Sequence, residues 1–185
     1  MAQCVCPWWL GYFLVSPIRR LWQNPEKILR PFVTPGMTVL EPGCGMGFFT
    51  LELARLVGEQ GRVVAVDIQP RMLQGLNRRA RRVGLGQQIE TRLTEGEGLP
   101  TRDLSDQVDF ALAFWVVHEL PDVERFFADL HESLRLGGKV LVTEPRGHVS
   151  QSSLTEELER ASRSGLHVSS RSETRSSLSV VLERT

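Results

Sequence analysis

The sequence contains little of several residue types, and each scarcity excludes something. Only Lys27 and Lys139 are lysines among its 22 basic side chains, so chemistry that needs a lysine Schiff base has few candidates. Three cysteines are too few for a disulfide framework in 185 residues. No apolar run reaches the roughly 18 residues that a membrane-spanning helix needs. The 22 basic and 22 acidic side chains balance, which argues against nucleic acid as a partner.

The N-terminal cysteines and the apolar stretch around them bear on the redox state and the compartment in which the protein is expected. Cys4 and Cys6 stand one residue apart, with no histidine or cysteine partner at ligand spacing, so we expect no metal site. The stretch 4–15 has the length of a signal-peptide core, but no basic residue precedes it and no small-residue cleavage site stands out. We therefore expect a reducing, cytoplasmic setting, and the oligomeric state stays open.

Short apolar strands alternate with amphipathic helices from residue 36 onward. This alternation predicts right-handed βαβ units in a parallel sheet. The predicted strands are 37–40, 62–66, 89–93, 108–114 and 139–143, and the predicted helices are 48–57, 70–83 and 122–134, with a Gly137-Gly138 turn before the fifth strand.

The C-terminal pattern differs. A helix over 154–164 precedes two strands, 166–170 and 178–182, whose short separation excludes a helical crossover and predicts an antiparallel hairpin. We expect one α/β domain, a Rossmann-like doubly wound sheet of seven mostly parallel strands with a C-terminal antiparallel hairpin. It would comprise an N-terminal helical or lid segment (1–35), a cofactor-binding core (36–145), and a C-terminal helix and hairpin (146–185).

The segment 39–47, with the sequence VLEPGCGMG, is the most informative part of the chain. Glu41 ends the first strand, and three glycines at alternate positions lead into a helix. Glycines are needed where the backbone takes a positive φ or lies against a ligand. Asp67 follows at the end of the second strand, where an acid suits hydrogen bonding to ribose hydroxyls.

The same segment discriminates between nucleotide cofactors. A dinucleotide fingerprint needs a glycine where Phe48 stands, and Glu41 would repel a pyrophosphate. The Walker pattern is also absent, because no Gly-Lys-Ser/Thr follows these glycines. A cofactor with an ammonium group and a sulfonium centre suits Glu41.

These motifs resemble those of the class I S-adenosylmethionine-dependent methyltransferases, especially the small stand-alone type that includes quinone-biosynthetic enzymes. The resemblance covers roughly residues 26–145: the glycine segment, the run from Asp67 to Met72-Leu73, the stretch 94–100, the fourth strand, and 134–138. It implies S-adenosylmethionine as cofactor and an adenine contact at Glu95 or Glu97. The cofactor-binding residues that it implies are Glu41, Gly43, Cys44, Gly45, Asp67, Ile68, Met72, Glu95, Gly96 and Phe114.

The acceptor side is expected at the carboxyl edge of the sheet, beyond the fourth and fifth strands. His118 is the candidate general base, although many members of the family need none, and a capping role for His118 and Glu119 stays open. Aromatic residues before Pro25 form either a lid or ordinary packing. The expected substrate contacts are Tyr12, Trp115, Glu119 and His148.

The expected function is methyl transfer to a small-molecule acceptor, without nucleic acid or a membrane span. One alternative is a non-catalytic module that only holds S-adenosylmethionine. The other is an RNA methyltransferase that uses the arginine run 78–82.

We predict that the chain binds S-adenosylmethionine and does not bind nicotinamide dinucleotides, because Glu41 and Phe48 favour the first and oppose the second. Titration calorimetry with each compound in the same buffer measures this. Binding of NAD without binding of the methyl donor would contradict the prediction.

Overall fold

The computed structural model describes residues 15–16, 19, 23–95, 98–174 and 176–185. Tyr12, Gly96, Glu97 and the aromatic residues at positions 8, 9, 13 and 22 lie outside these ranges. The seven described strands are β1 (Thr38–Pro42), β2 (Arg62–Asp67), β3 (Ile89–Leu93), β4 (Val108–Phe114), β5 (Leu134–Pro145), β6 (Leu166–Glu173) and β7 (Ser177–Arg184).

Five described α-helices connect the strands or precede them, and side chains cap three of them. Asn24 accepts a hydrogen bond from the Lys27 amide, and Asp122 and Ser150 cap later helices in the same way. The helices are α1 (Pro25–Leu29), α2 (Thr50–Val57), α3 (Pro70–Arg82), α4 (Val123–Ser133) and α5 (Gln151–Arg163).

The strand order is β3-β2-β1-β4-β5-β7-β6. The first five strands pair in parallel, and β7 runs antiparallel to both of its neighbours. This confirms the predicted doubly wound sheet and its C-terminal hairpin. The order reverses between β1 and β4, and the loops after these strands diverge there and leave a crevice for a ligand.

The sheet separates two hydrophobic layers. Successive residues of a strand face opposite sides, so Val39 and Val63 pack in one layer while Leu40 and Val64 pack in the other, and all four are fully buried. Strands buried on both faces explain the nearly continuous apolar runs in the sequence. Across the described ranges, no helix combines the length and the apolar composition needed to cross a bilayer.

The fifth strand is longer than predicted, and the predicted turn at Gly137-Gly138 lies within it. β5 begins at Leu134, which pairs with Val108, and the register then shifts before Phe110 pairs with Lys139. Gly137 has a φ of +73°, which absorbs this irregularity without ending the strand. Since a glycine pair is typical of both turns and bulges, the sequence pattern alone did not distinguish them.

The other boundaries differ less from the prediction. α2 begins at Thr50 rather than at residue 48, since Phe48 and Phe49 belong to the turn that carries the chain out of the glycine segment. β1 extends through Glu41 and Pro42, because both pair with β2.

The close packing at Gly61, just before β2, generates a stability prediction. A Cβ atom there would lie 2.6 Å from the Val57 carbonyl oxygen and 2.8 Å from that of Met37, both backbone atoms. We expect Gly61→Ala to lower the free energy of unfolding by about 1–3 kcal/mol, the range for overpacking. Gly86→Ala, whose nearest neighbour would be 3.7 Å away, is the matched control and should change it by less than about 0.5 kcal/mol. Urea denaturation measures both, and equal effects would contradict the prediction.

Candidate active site

The carboxyl ends of β1, β2 and β4 open into a cavity of about 640 Å³. The loops after these strands form its walls, together with the loop after β5 and residues of the N-terminal segment. This volume lies in the range typical of small-molecule and cofactor sites, roughly 300–1,000 Å³. The cavity coincides with the reversal of strand order, where this class of fold binds ligands.

The glycine loop, residues 43–47, forms one wall and is tied to the end of β2. The amides of Gly43 and Cys44 both donate to the Val66 carbonyl, at 2.8 and 3.1 Å. A Cβ atom at Gly43 would lie 2.7 Å from Cγ2 of Val116, so only glycine permits this approach to the loop after β4. At Gly45, φ is +53° and an added Cβ would meet nothing within 4 Å, which leaves open space beside the cavity.

Glu41 is a buried acid in the wall of the cavity. Its side chain is 3% exposed, and its Oε2 has no hydrogen-bond partner in the described structure. Burial raises the pKa of Glu41 to about 8; the Thr50 hydroxyl opposes this rise, and the nearby charge of Asp67 contributes to it. A buried, unpartnered carboxyl oxygen beside a cavity is suited to a cationic ligand.

Asp67 ends β2 and organises the loops on both sides of it. Its Oδ2 accepts a hydrogen bond from the Gly45 amide and its Oδ1 accepts one from the Gln69 amide, both at 2.8 Å. Burial raises the pKa of this carboxyl, and the two amides act in the opposite direction. Asp67 therefore couples the glycine loop to the start of α3.

The wall beyond β2 is mainly apolar. Ile68, which is 38% exposed, and Met72 line it together with Thr94 and Leu99. Asp129 of α4 holds this region in place, because its carboxylate accepts a hydrogen bond from the Leu99 amide at 2.7 Å.

The predicted adenine contact is not resolved by this geometry. Glu95 is exposed and is not among the described residues that line the cavity. Its alternative, Glu97, lies outside the described ranges, as does Gly96. The contact therefore stays a prediction.

Four rings form an aromatic row along another wall: Phe48, Phe49, Phe114 and Trp115. Neighbouring ring centroids in this row are 4.3–5.3 Å apart. Trp115 has a φ of +59°, which is unusual for a large side chain and typical of strain at functional sites. Its Nε1 is buried and has no partner in the described structure.

His118 and Glu144 form a dyad at the end of the cavity next to this row. His118 lies on a single 3₁₀ turn after β4, and Glu144 lies near the end of β5 and is fully buried. His118 Nδ1 hydrogen-bonds to Glu144 Oε2, while Glu144 Oε1 accepts from the Val117 amide at 3.0 Å. This hydrogen bond raises the pKa of His118 above its ordinary value, although burial opposes the effect.

Further titratable groups surround the dyad. The ring of His148 stands perpendicular to that of His118, with centroids 5.7 Å apart. Burial raises the pKa of Glu119, and it raises that of Glu157 on α5 to about 7, where the charge of Glu144 adds to the effect. No group of three or more His, Cys, Asp or Glu side chains within the described ranges is placed to hold a metal ion.

The fold brings most of the predicted site residues together. The predicted residues that line the cavity are Glu41, Gly43, Cys44, Gly45, Asp67, Ile68, Met72, Phe114, Trp115, His118, Glu119 and His148.

Burial raises the pKa of the Cys44 thiol well above its ordinary value, which disfavours a reactive thiolate. The sequence analysis missed Arg19 and Glu144; an acid just after a predicted strand could have indicated Glu144, but no local signal marks Arg19.

A family model described as a methyltransferase domain matches residues 33–177. The chain belongs to the class I S-adenosylmethionine-dependent methyltransferases. It is 33% identical over 65% of its length to an arsenite methyltransferase of Halobacterium salinarum. It is 32% identical over 69% of its length to a ubiquinone/menaquinone biosynthesis C-methyltransferase of Klebsiella pneumoniae. The chain spans only 30% and 49%, respectively, of the lengths of these relatives.

A solved structure shows the same methyltransferase fold along nearly the whole chain. A SAM-dependent methyltransferase from Aquifex aeolicus superposes with a TM-score of 0.86 at 24% identity, covering 97% of this chain and 100% of that one. The methyl donor of the methyltransferase family is S-adenosylmethionine, so the cavity at the glycine loop is where a donor site is expected.

Glu41 generates a prediction on pH and stability. Its carboxyl has a pKa of about 8 when folded and an ordinary value of 4.5, so between these values the folded state binds more protons than the unfolded state. The free energy of unfolding should therefore fall by about 1.4 kcal/mol per pH unit through this group as the pH rises from 5.5 to 7.5.

Glu41→Gln should remove this contribution, whereas the exposed Glu59→Gln is the control and should keep the wild-type slope. Urea denaturation at several pH values measures the slopes. Identical slopes in the wild type and Glu41→Gln would contradict the prediction.

Proposed function

We propose that this methyltransferase-family chain transfers the methyl group of S-adenosylmethionine to a small molecule whose attacking atom carries an acidic proton. The observation that carries the proposal is the His118–Glu144 dyad, which shares one cavity with the glycine loop. A histidine with raised basicity beside a donor site is suited to remove the proton of an acceptor.

The donor side of the proposal rests on the buried acids and on the glycine loop. Glu41 would hold the ammonium group, and Asp67 would hold the ribose hydroxyls. Ile68 and Met72 would contact the adenosine through their apolar surfaces. The cofactor supplies a methyl group on a sulfonium, and the acidic side chains of this cavity favour a cationic ligand electrostatically.

The acceptor side rests on His118 and Trp115. Glu144 occupies Nδ1 of His118, so the proton of the acceptor would go to Nε2. The same hydrogen bond fixes the ring, and the Val117 amide in turn fixes Glu144. The unpartnered Nε1 of Trp115 is a donor suited to an acceptor oxygen. The aromatic row would exclude water, which strengthens each of these interactions.

A small molecule suits this cavity better than RNA does. The chain has no net charge, so it lacks a general attraction to RNA. The arginines of the run 78–82 lie on α3, and one of them, Arg79, donates a hydrogen bond to the Met46 carbonyl within the chain. The relatives are named for arsenite methylation and for quinone biosynthesis, both of which involve small molecules. The dyad favours an enzyme over a module that only holds S-adenosylmethionine.

Methyl transfer should depend on His118, while binding of the donor should not. We expect the wild type to label a compound in a small-molecule extract when it is supplied with S-adenosylmethionine that carries a radioactive methyl group. His118→Ala should lose about 10²–10⁴-fold of this rate, the range for general acid–base catalysis. Its affinity for S-adenosylmethionine, measured by calorimetry, should stay within about twofold of the wild type.

Glu144→Gln provides a second readout. Without the carboxylate, the pKa of His118 should fall, so the rate should begin to rise at a lower pH and reach a lower maximum. Glu159→Gln on the exposed face of α5 is the matched control. Label on RNA, or donor binding without any labelled small molecule, would contradict the proposed function.

A further inference from the structure

A second cavity, of about 360 Å³, lies between α2 and the C-terminal part of α3. Its volume falls within the range of small-molecule sites, roughly 300–1,000 Å³. Among the described residues it shares only Val15 and Phe48 with the cavity at the glycine loop, and neither of these side chains is polar. The second cavity is therefore separate from the donor site in its polar lining. Its described lining residues are Val15, Phe48, Leu51, Arg55, Arg79, Arg82 and Val83.

The polar lining of this second cavity consists of three arginines from two helices. Arg55 belongs to the last turn of α2, and Arg79 and Arg82 belong to the last turn of α3. Glu52 pairs with Arg55 at 3.0 Å and offsets part of its charge, but no acid is among the described lining residues. The cavity therefore concentrates positive charge in a chain whose total charge is zero, and it favours an anion.

One of these arginines is held in place by the chain itself. Arg79 donates a hydrogen bond to the Met46 carbonyl, which fixes the orientation of its guanidinium. A group that is already oriented loses less conformational freedom when a ligand binds. Arg55 and Arg82 are exposed, so a ligand reaches their guanidiniums from solvent. The planar fork of a guanidinium matches the paired oxygens of a carboxylate or a phosphate.

The rest of the lining is apolar. Phe48 and Leu51 are 7% and 6% exposed, whereas Val83, next to Arg82 in the chain, is 49% exposed. An inorganic anion would leave this apolar surface in water. A ligand with an apolar body would cover it, and burial of apolar surface favours binding. The lining therefore fits an anion that carries an apolar chain better than it fits a bare anion.

We propose that this second cavity binds a small amphipathic anion, with a phosphate or carboxylate group on Arg55 and Arg82 and an alkyl body against Leu51 and Val83. The site adds a ligand to the chain besides the methyl donor and the acceptor. It does not depend on which acceptor the chain methylates, nor on the role of His118.

The test uses octyl phosphate as the probe, with inorganic phosphate and 1-octanol as its charged and apolar parts alone. Calorimetry is done with the full chain, below the concentration at which octyl phosphate forms micelles. The wild type should bind octyl phosphate at least about tenfold more tightly than either part, because only the whole probe uses both kinds of lining.

Variants on the two helices locate the bound probe. Arg55→Gln and Arg82→Gln should each weaken binding of octyl phosphate by about tenfold or more, the loss expected for a hydrogen bond to a charged group. Arg82→Lys keeps the charge without the fork and should recover part of the affinity. Arg81→Gln is the matched control, because Arg81 is an exposed arginine of the same run that does not line the cavity. It should change the affinity by less than about twofold.

Other outcomes would overturn the inference. Equal losses in Arg81→Gln and Arg82→Gln would mean a diffuse attraction to a positive helix, and equal affinities for octyl and inorganic phosphate would exclude an apolar contact. Heat only above the micelle concentration would mean association with lipid aggregates. No binding would leave the arginines as cations that stabilise the C-termini of their helices. A thermal melt shows which variants fold, and one folded variant is enough because Arg55 and Arg82 lie on different helices.

Discussion

The close approach of Gly43 to Val116 joins the two halves of the site. A Cβ atom at Gly43 would lie 2.7 Å from the Val116 side chain, so the loop after β1 and the loop after β4 touch only because glycine stands there. The amide of Val117, the next residue, donates to Glu144, which holds His118. A shift of the glycine loop would therefore move the base as well as the donor wall.

The cavity concentrates acidic groups in a chain whose total charge is zero. Glu41, Asp67 and Glu119 line it, and burial raises the pKa of each. Withdrawing such groups from water destabilises the folded state. The same groups lower the energy of a cation in the cavity, and the methyl donor of this family is a sulfonium. Stability and donor recognition therefore oppose each other here, as is common at functional sites.

Strand pairing decides where the dyad stands. Phe114 pairs with Thr143, so Glu144 comes one residue beyond the last paired position of β4, beside the turn that carries His118. The antiparallel strand β7 then covers the outer edge of β5, where Glu144 pairs with Leu178. Because Glu144 pairs with β7 and accepts a hydrogen bond from the Val117 amide, its buried carboxylate is held beside His118.

Much of the fold and of the donor site follows from local features of the sequence. The alternation of strands and helices depends on hydrophobic period, and the glycine loop depends on backbone angles that few other residues adopt, so both are visible without the fold. Asp67 could be placed because it ends a predicted strand. The insertion of β7 between β5 and β6 could not, since it depends on pairing between distant segments.

The contacts between distant residues of the site were decided by the tertiary structure. Glu144 is 26 residues from His118, and their contact exists only through the register of β4 with β5. Arg19 precedes the alternating strands and helices in the sequence, yet it packs against four aromatic rings of the site. Glu95 is exposed, although its motif predicts a contact with adenine. The sequence determined the glycine loop and the strand ends through short-range backbone constraints. Which charges meet across the cavity was decided by long-range packing, because such contacts have no local signature.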